Sequence, residues 1–408
     1  MRSEIDNLMA ARQLDALMVI TEERYDAVVD YLTNGARITG GVVLKRRGEA
    51  PVLAVGGMET EEAKASGLEV RDYSAFGYHE VMKAHKDDPV ARKVAWWQAL
   101  LAGVGVEGGR VGIYGAGDLN VYLEVFRAFD REVTAYTLVG EAENTLFQAA
   151  METKDADEMA RIRGVAARTN EVIRATWDYI AGHRADGEAV VDVDGQPLTI
   201  GAVKRFVRRE LIERGLEDTG MIFAQGRDAG YPHSRGEDEQ PLRQGQSIVF
   251  DLFPRELGGG YHHDMTRTWC IGHAPEAVQT AYEQVMEAFD RAVEATKPGM
   301  QGGDVQQIVL DYFEGLGHPT SRSEPGTQAG YVHSLGHGVG LHIHEPPRMS
   351  HVRSDELRKG SVVTIEPGLY YPERGFGIRV EDMVAIREDG SIETLTDFPK
   401  DLVLPLRG

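Results

Sequence analysis

Four carboxylates that interrupt otherwise strand-like segments constrain this chain more than any other feature. Asp251 follows the apolar run SIVF, and Asp264 lies beyond a Gly-rich reversal in FDLFPRELGGGYHHDMTRT. Glu366 follows SVVTI, and Glu381 stands inside GIRVEDMVAI, the two being joined in TIEPGLYYPERGFGIRVED. Glu is depleted from strands, and carboxylates seldom enter a core unless something cationic receives them. If the first two segments pair antiparallel, Asp264 returns to face Asp251, with Thr266 on the same side. The second pair repeats the arrangement for Glu366 and Glu381. Carboxylates a few ångströms apart repel unless one holds a proton or a cation bridges them. Solvated acids at turns or on an edge strand are the plain alternative for each pair, and the second pair weakens that alternative for both.

His337 lies between the two acid pairs, in HSLGHGVGLHIHE. It and His333 are spaced to share a helix face, but Gly336, Gly338 and Gly340 argue for loop or strand. A zincin helix is therefore not expected there. Nor is one expected at HEVMKAH, where Lys83 occupies the position a second histidine would need. No histidine follows a Glu three residues behind it, which excludes a di-iron helical bundle, and there is no Gly-x-Ser-x-Gly elbow. Asp192-Val193-Asp194-Gly195 begins like a calcium loop, but Val203 stands where the closing glutamate belongs, so a turn is expected. Cys270 is the single cysteine. It allows neither an intrachain disulfide nor a thiolate zinc cluster, and it is expected to pack beside Trp269 as a small hydrophobe.

At 408 residues the chain is too long for one ordinary core, and two domains are expected. Residues 1–150 alternate helical and strand-like patterns. Helical spacing runs over 1–13, 91–102 and 118–129, with strands at 16–21, 41–45, 51–55, 68–73 and 111–114. A charged segment, METKDADEMARIRG, then opens a long helix capped by Thr153 or Asp155. Beyond it the pattern predicts a basic amphipathic helix over 201–214 with a solvated face, and helices over 274–296 and 304–316. Strands are predicted over 247–253, 261–271, 362–365 and 377–386.

Acidic side chains outnumber basic ones 65 to 44, for a formal charge of −21. Such a balance argues against nucleic acid and against an anionic membrane surface. No stretch approaches the roughly 20 apolar residues that span a bilayer. The amino terminus is charged throughout, without the apolar core of a signal peptide. The expectation is a cytoplasmic soluble protein.

Taken in order, FD…YHHDMTRT, HSLGHGVGLHIHE, TIEPGLY and RVEDMV resemble the pita-bread metallopeptidases, and within them the prolidases (Xaa-Pro dipeptidases) and Xaa-Pro aminopeptidases. The resemblance covers about residues 155–395 and, more weakly, a creatinase-like domain before them. It implies an α/β N-terminal domain over 1–150. An α+β pita-bread catalytic domain over 151–408 would follow, with an antiparallel sheet flanked by helices. It also implies that Asp251 chelates one metal ion, that Asp264 and Glu381 bridge two, and that His337 and Glu366 complete the second. Glu366 matches the family's catalytic glutamate, His344 a histidine near the scissile bond, and His233 an outer substrate histidine. Arg348 falls near a basic residue that receives a substrate carboxylate. Proline-containing dipeptides or short peptides are the implied substrates, and a homodimer the implied assembly. The loop between Asp251 and Asp264 is slightly longer than is usual in the family, so a different rim to the site, and with it a different substrate preference, is expected. His342 is outside the matched motif, and a surface or packing role is expected for it.

The residues suit that chemistry. Two divalent ions balance four carboxylates, and ions roughly 3.5–4 Å apart can lower the pKa of water and polarise a carbonyl together. Oxygen donors with one imidazole suit Mn²⁺, with Co²⁺ and Zn²⁺ as alternatives. A metal-free creatinase-like hydrolase would lack this acidic set, and a non-catalytic binding protein on the same fold would be expected to have lost part of it.

Overall fold

The computed structural model describes residues 4–22 and 25–407, which fall into two compact units. One runs to Met151 and includes Gly258–Gly260; the other holds Glu152–Leu257 and the chain from Tyr261 onward.

The first unit is built on a six-stranded sheet. Its order is Glu69–Asp72, Val52–Val55, Gly40–Arg46, Ala16–Glu22, Gly109–Gly115, Tyr136–Val139. The sheet is mixed: Ala16–Glu22 pairs antiparallel with Gly40–Arg46 and parallel with Gly109–Gly115. Helices Pro89–Gly103 and Leu119–Glu132 begin at Asp88 and Asp118, whose carboxylates accept from first-turn amides, a cap worth about 1 kcal/mol. Met18, Leu44, Trp97, Leu100 and Phe129 belong to one buried cluster. The predicted strands appear within one or two residues of their expected bounds, and the first helix spans Ile5–Ala11. Residues 1–3 of the predicted 1–13 helix lie outside the described residues.

The second unit opens with helix Ala156–Ala181, capped by Asp155 rather than Thr153. Asp155 Oδ1 accepts from the amides of Asp157 and Glu158, and Glu158 Oε2 accepts in return from the Asp155 amide at 3.0 Å. This reciprocal box satisfies donors that the helix itself leaves open. Helix Ile200–Glu213 is more than a solvated basic face. Val203, Val207 and Leu211 are buried, and so is Lys204, which donates to Asp238 Oδ1 at 2.7 Å.

Two sheets carry the acid-bearing strands. The first orders Ile222–Gln225, Ser247–Leu252, Met265–Ile271 and Val403–Leu404; it is antiparallel except for the last, parallel edge. The second orders Glu345–Met349, Gly336–Gly338, Val362–Ile365, Asp382–Ile386 and Ile392–Thr394, antiparallel throughout. Helices Glu276–Ala295 and Gly302–Gly315 contribute Val285, Phe289, Val309 and Phe313 to a core shared with Ile365, Leu369, Ile378 and Val384. Full burial of such side chains stabilises the fold by about 1.5–3 kcal/mol each. Cys270 lies in the same core, fully buried, and the 192–195 segment is a turn closed on the Asp192 carboxylate. Among the described residues no helix is long and apolar enough to cross a membrane.

Two predicted strands need correction. The one placed over 261–271 starts only at Met265. Ahead of it, His262 N–H donates to Gly340 O at 2.9 Å and His263 N–H to Pro254 O at 3.0 Å, so the chain is bound outside the ladder. The reversal before it relies on Gly258, Gly259 and Gly260, with φ of 83°, 114° and 123°, a region side chains rarely tolerate. The strand placed over 377–386 divides in two. Phe376–Arg379 forms a hairpin with Gly368–Tyr371, whereas Asp382–Ile386 joins the five-stranded sheet. Glu381 is therefore not at a strand centre but at the crossing between sheets. There its N–H donates to Thr266 O at 3.1 Å, and its carbonyl accepts from Thr266 N–H. The fully buried Arg267 holds the same crossing, donating to Glu381 O at 2.9 Å and pairing with Asp382 at 2.9 Å.

Candidate metal and substrate site

The four carboxylates and His337 converge at one cavity of about 840 Å³ in the second unit, whose lining also includes His233, His344 and Arg348. The register explains the convergence. Asp251 pairs with Thr266 across the first sheet, and Asp264 lies just past the last pair, Leu252–Met265. In the second sheet the terminal pair is Ile365–Asp382, which leaves Glu366 and Glu381 immediately beyond it. The Thr266–Glu381 bridge joins the two arrangements, and Thr266 Oγ1 donates to Glu381 Oε2 at 2.7 Å. His337 sits on the short strand Gly336–Gly338 beside Val362–Ile365. Donor atoms of Asp264, His337 and Glu381 all lie within 4.8 Å of one another. His337 Nε2 is 3.4 Å from Glu366 Oε1 and 3.7 Å from Asp264 Oδ2.

These separations are unfavourable for the side chains alone. His337 Nδ1 donates to Gly338 O at 3.1 Å, which leaves Nε2 as a lone pair facing two carboxylate oxygens. Burial, with His344 adding to it, pushes the imidazole down to about 3, so it does not neutralise them as a cation. Burial pushes Asp264 well above the usual carboxylate range, and Glu381, Asp251 and Glu366 push it further. Glu381 is raised well above its usual value by burial and then by Glu366 and Asp251. Burial lifts Glu366 to about 8, against the pull of Arg379. Asp251 Oδ1 and Asp264 Oδ1 are buried without a hydrogen-bond partner. Oxygen donors, one neutral imidazole fixed through its other nitrogen, and orphaned carboxylate oxygens fit divalent cations.

Several participants were not apparent in the sequence. Arg379, 3% exposed, donates to Asp251 Oδ2 at 2.6 Å, Thr266 Oγ1 at 3.0 Å, Tyr370 OH at 3.0 Å and Pro232 O at 3.2 Å. Its position before the Val-Glu-Asp run was the available signal, since alternation turns it toward the same interior as the acids. His333 is 3.9 Å from Glu366 Oε2, and its other nitrogen contacts Tyr370 OH at 2.9 Å. Arg235 lines the cavity and has no ion pair among the described residues.

The residues expected on the substrate side are less tightly gathered. The His344 ring meets the His337 ring edge-on at 4.4 Å, and His233 is exposed on the lining. Arg348 lines the cavity, but its Nη1 lies 3.3 Å from Asp355 Oδ2, so the guanidinium already has a carboxylate partner. His342 is exposed and outside the lining, in keeping with a surface position.

Comparison with known proteins gives this geometry a family. The chain is 39% identical over 182 residues to an Xaa-Pro dipeptidase of Pyrococcus furiosus, covering 45% of this chain and 48% of that protein. It is 37% identical over 182 residues to an Xaa-Pro dipeptidase of Pyrococcus horikoshii, with 45% and 48% covered. The matched stretch thus spans about half the length of these relatives. Its fold superposes on a prolidase from Pyrococcus horikoshii OT3 with a TM-score of 0.74 at 24% identity, covering 98% of this chain and 99% of that one. An X-Pro aminopeptidase from Thermotoga maritima gives 0.74 at 22% identity, covering 97% and 99%. The fold is accordingly an α/β amino-terminal part followed by a pita-bread unit. Residues 160–388, more than half of the sequence, match the family directly, and the chain belongs to metallopeptidase family M24.

Proposed function

We propose that this protein hydrolyses the Xaa-Pro peptide bond, in dipeptides before longer peptides, with two divalent ions held by Asp251, Asp264, His337, Glu366 and Glu381. The observation that carries this reading is the His337 Nε2 lone pair set 3.4 and 3.7 Å from two carboxylates, an arrangement that a bound cation relieves without protonating the acids. Asp264 and Glu381 would hold the ions from the centre of this set, and Mn²⁺ is the metal that the oxygen-rich donors would favour. We place the amino-terminal domain at 1–150 and the catalytic domain at 151–408, in a cytoplasmic homodimer.

The ions, when bound, supply a water nucleophile at neutral pH and polarise the scissile carbonyl. The chain provides the rest. Glu366 takes the proton from the attacking water and delivers it to the leaving nitrogen, which needs only hydrogen-bond reach. Thr364 Oγ1 donates to Glu366 Oε1 at 3.2 Å and orients that carboxylate. Burial pushes the His344 imidazole below its usual value, so it meets substrate as a neutral donor, and with His233 it stabilises the oxyanion. Such a donor is worth about 3–4 kcal/mol in the transition state. Arg379 holds Asp251 directly, and it steadies Glu381 through Thr266, whose hydroxyl accepts from Arg379 Nε and donates to Glu381 Oε2.

Elemental analysis and a panel of proline peptides test the reading. Two ions per chain and faster cleavage of Ala-Pro than of a tetrapeptide Ala-Pro-x-x are expected; no stoichiometric metal, or no cleavage of either, rejects it. The cavity of about 840 Å³ leaves room for the rival, an aminopeptidase taking longer peptides, which the reverse preference would identify. Arg348→Ala is expected to raise KM for Ala-Pro by about tenfold or more, the worth of one charged hydrogen bond. The tetrapeptide should be spared, and an equal effect on both substrates removes Arg348 from carboxylate binding.

A further inference from the structure

The proposed chemistry leaves a buried ion pair unused. Lys154 Nζ donates to Glu345 Oε1, and their side chains are only 1% and 4% exposed. Taking both charges out of water is costly, and removing one partner strands the other. The sequence offers Lys154 no obvious reason to be buried, since METKDADE reads as the solvated start of a helix. Glu152 and Glu158 also lie within reach of its charge.

The pair joins two fixed points to one irregular segment. Lys154 precedes helix Ala156–Ala181, and its own N–H donates to Gly360 O at 2.8 Å. Glu345 begins strand Glu345–Met349 and directly follows His344. Its Oε2 accepts from His342 N–H at 3.3 Å. Upstream, Gly340 donates to His342 O at 3.0 Å, and its carbonyl accepts from His262 N–H at 2.9 Å. A Cβ on Gly340 would fall 2.4 Å from Glu345 Oε1, so only glycine leaves room for the carboxylate there. Downstream stands the His344 ring, edge-on to His337.

We infer that Lys154 is a positioning residue: through Glu345 it braces the Gly340–His344 loop and so sets the His344 ring at the cavity. This rests on the reading of His344 as a substrate-contacting group. Directional hydrogen bonds to Glu345 and His342 do what an apolar pair of equal volume cannot, because packing alone leaves the loop free to shift.

Two variants test it in the metal-loaded enzyme: Lys154→Met, and the pair Lys154→Met with Glu345→Leu, which strands no charge. Both are expected to lower kcat for Ala-Pro by about tenfold or more, as small misplacements of catalytic groups do, with metal content unchanged. In a His344→Ala background, Lys154→Met is expected to cost less than about twofold, because coupled residues are not additive. An equal fall in both backgrounds, or none in either variant, overturns the inference. Amide hydrogen exchange supplies a readout independent of turnover. Exchange at Gly340–Glu345 is expected to quicken by about tenfold in the paired variant, with helix Ala156–Ala181 unchanged. Unaltered loop exchange overturns the bracing even in an inactive protein. Faster loop exchange in the paired variant, when the wild type cleaves no Xaa-Pro bond, upholds the bracing and rejects the proposed function instead.

Discussion

Stripped of metal, the second unit is expected to lose stability as pH rises from about 7 to about 8.5, and metal is expected to reverse that trend. Burial and mutual repulsion raise Asp264, Glu366 and Glu381 above their usual values, Glu366 to about 8. A group with a raised folded pKa binds more protons folded than unfolded. Its stabilising contribution is complete below the unfolded value and disappears as pH climbs through the folded one. The acids' window therefore opens near 4.5 and runs past about 8, and His262, His263, His333 and His337, pushed down by burial, oppose it only up to their unfolded value of 6.5, so the fall is read above it. Cations reverse the slope because they take up the deprotonated carboxylates, so binding expels protons and tightens with pH. Each ion at about 100 times its dissociation constant adds about 2.7 kcal/mol. Two such ions amount to a shift on the order of 10–20 °C for a unit of this size. Thermal melts with chelator and with Mn²⁺ at both pH values check this. A chelated protein more stable at the alkaline end, or a metal gain that does not grow with pH, contradicts the proposed ligand set.

Glu366→Gln is expected to lower kcat on Ala-Pro by about a thousandfold, within the range for losing a general acid–base group. The amide preserves the shape and one oxygen donor, so Thr364 keeps its acceptor. It cannot hold the proton in transit. KM should change little, since the loss falls on an interaction made in the transition state. Metal content measured alongside separates this loss from failure to bind the ions. Turnover within about threefold of wild type, with metal retained, assigns the proton transfer to another group, and His333, 3.9 Å from Glu366 and outside the proposed metal ligands, is the imidazole to examine.

The acids were legible because each interrupts an apolar, β-rich run, and burial of a carboxylate needs a cause that the local sequence does not supply. His337 was legible by its place between them, amid glycines that exclude a helix. The divided strand was not. Val380-Glu381 continues the alternation on either side, and only the pairing of Glu381 with Thr266, a distant partner, breaks the ladder. The burial of Arg267, Arg379 and Lys154 was not legible for the same reason. Their burial depends on acceptors supplied from elsewhere in the chain: Phe398 O and Glu381 O for Arg267, Asp251 for Arg379, Glu345 for Lys154. Arg348 illustrates the converse. A motif gives its place on the lining, while Asp355, which occupies its guanidinium, belongs to the structure.

The crossing at Glu381 stitches together halves of the unit that are far apart in sequence. Asp251 and Asp264 come from one side of the long helical stretch Glu276–Ala295 and Gly302–Gly315; His337, Glu366 and Glu381 come from the other. A protease nick anywhere in that stretch would leave neither fragment with a complete cation cage. Loaded metal would thus act as a removable crosslink between segments on either side of that stretch.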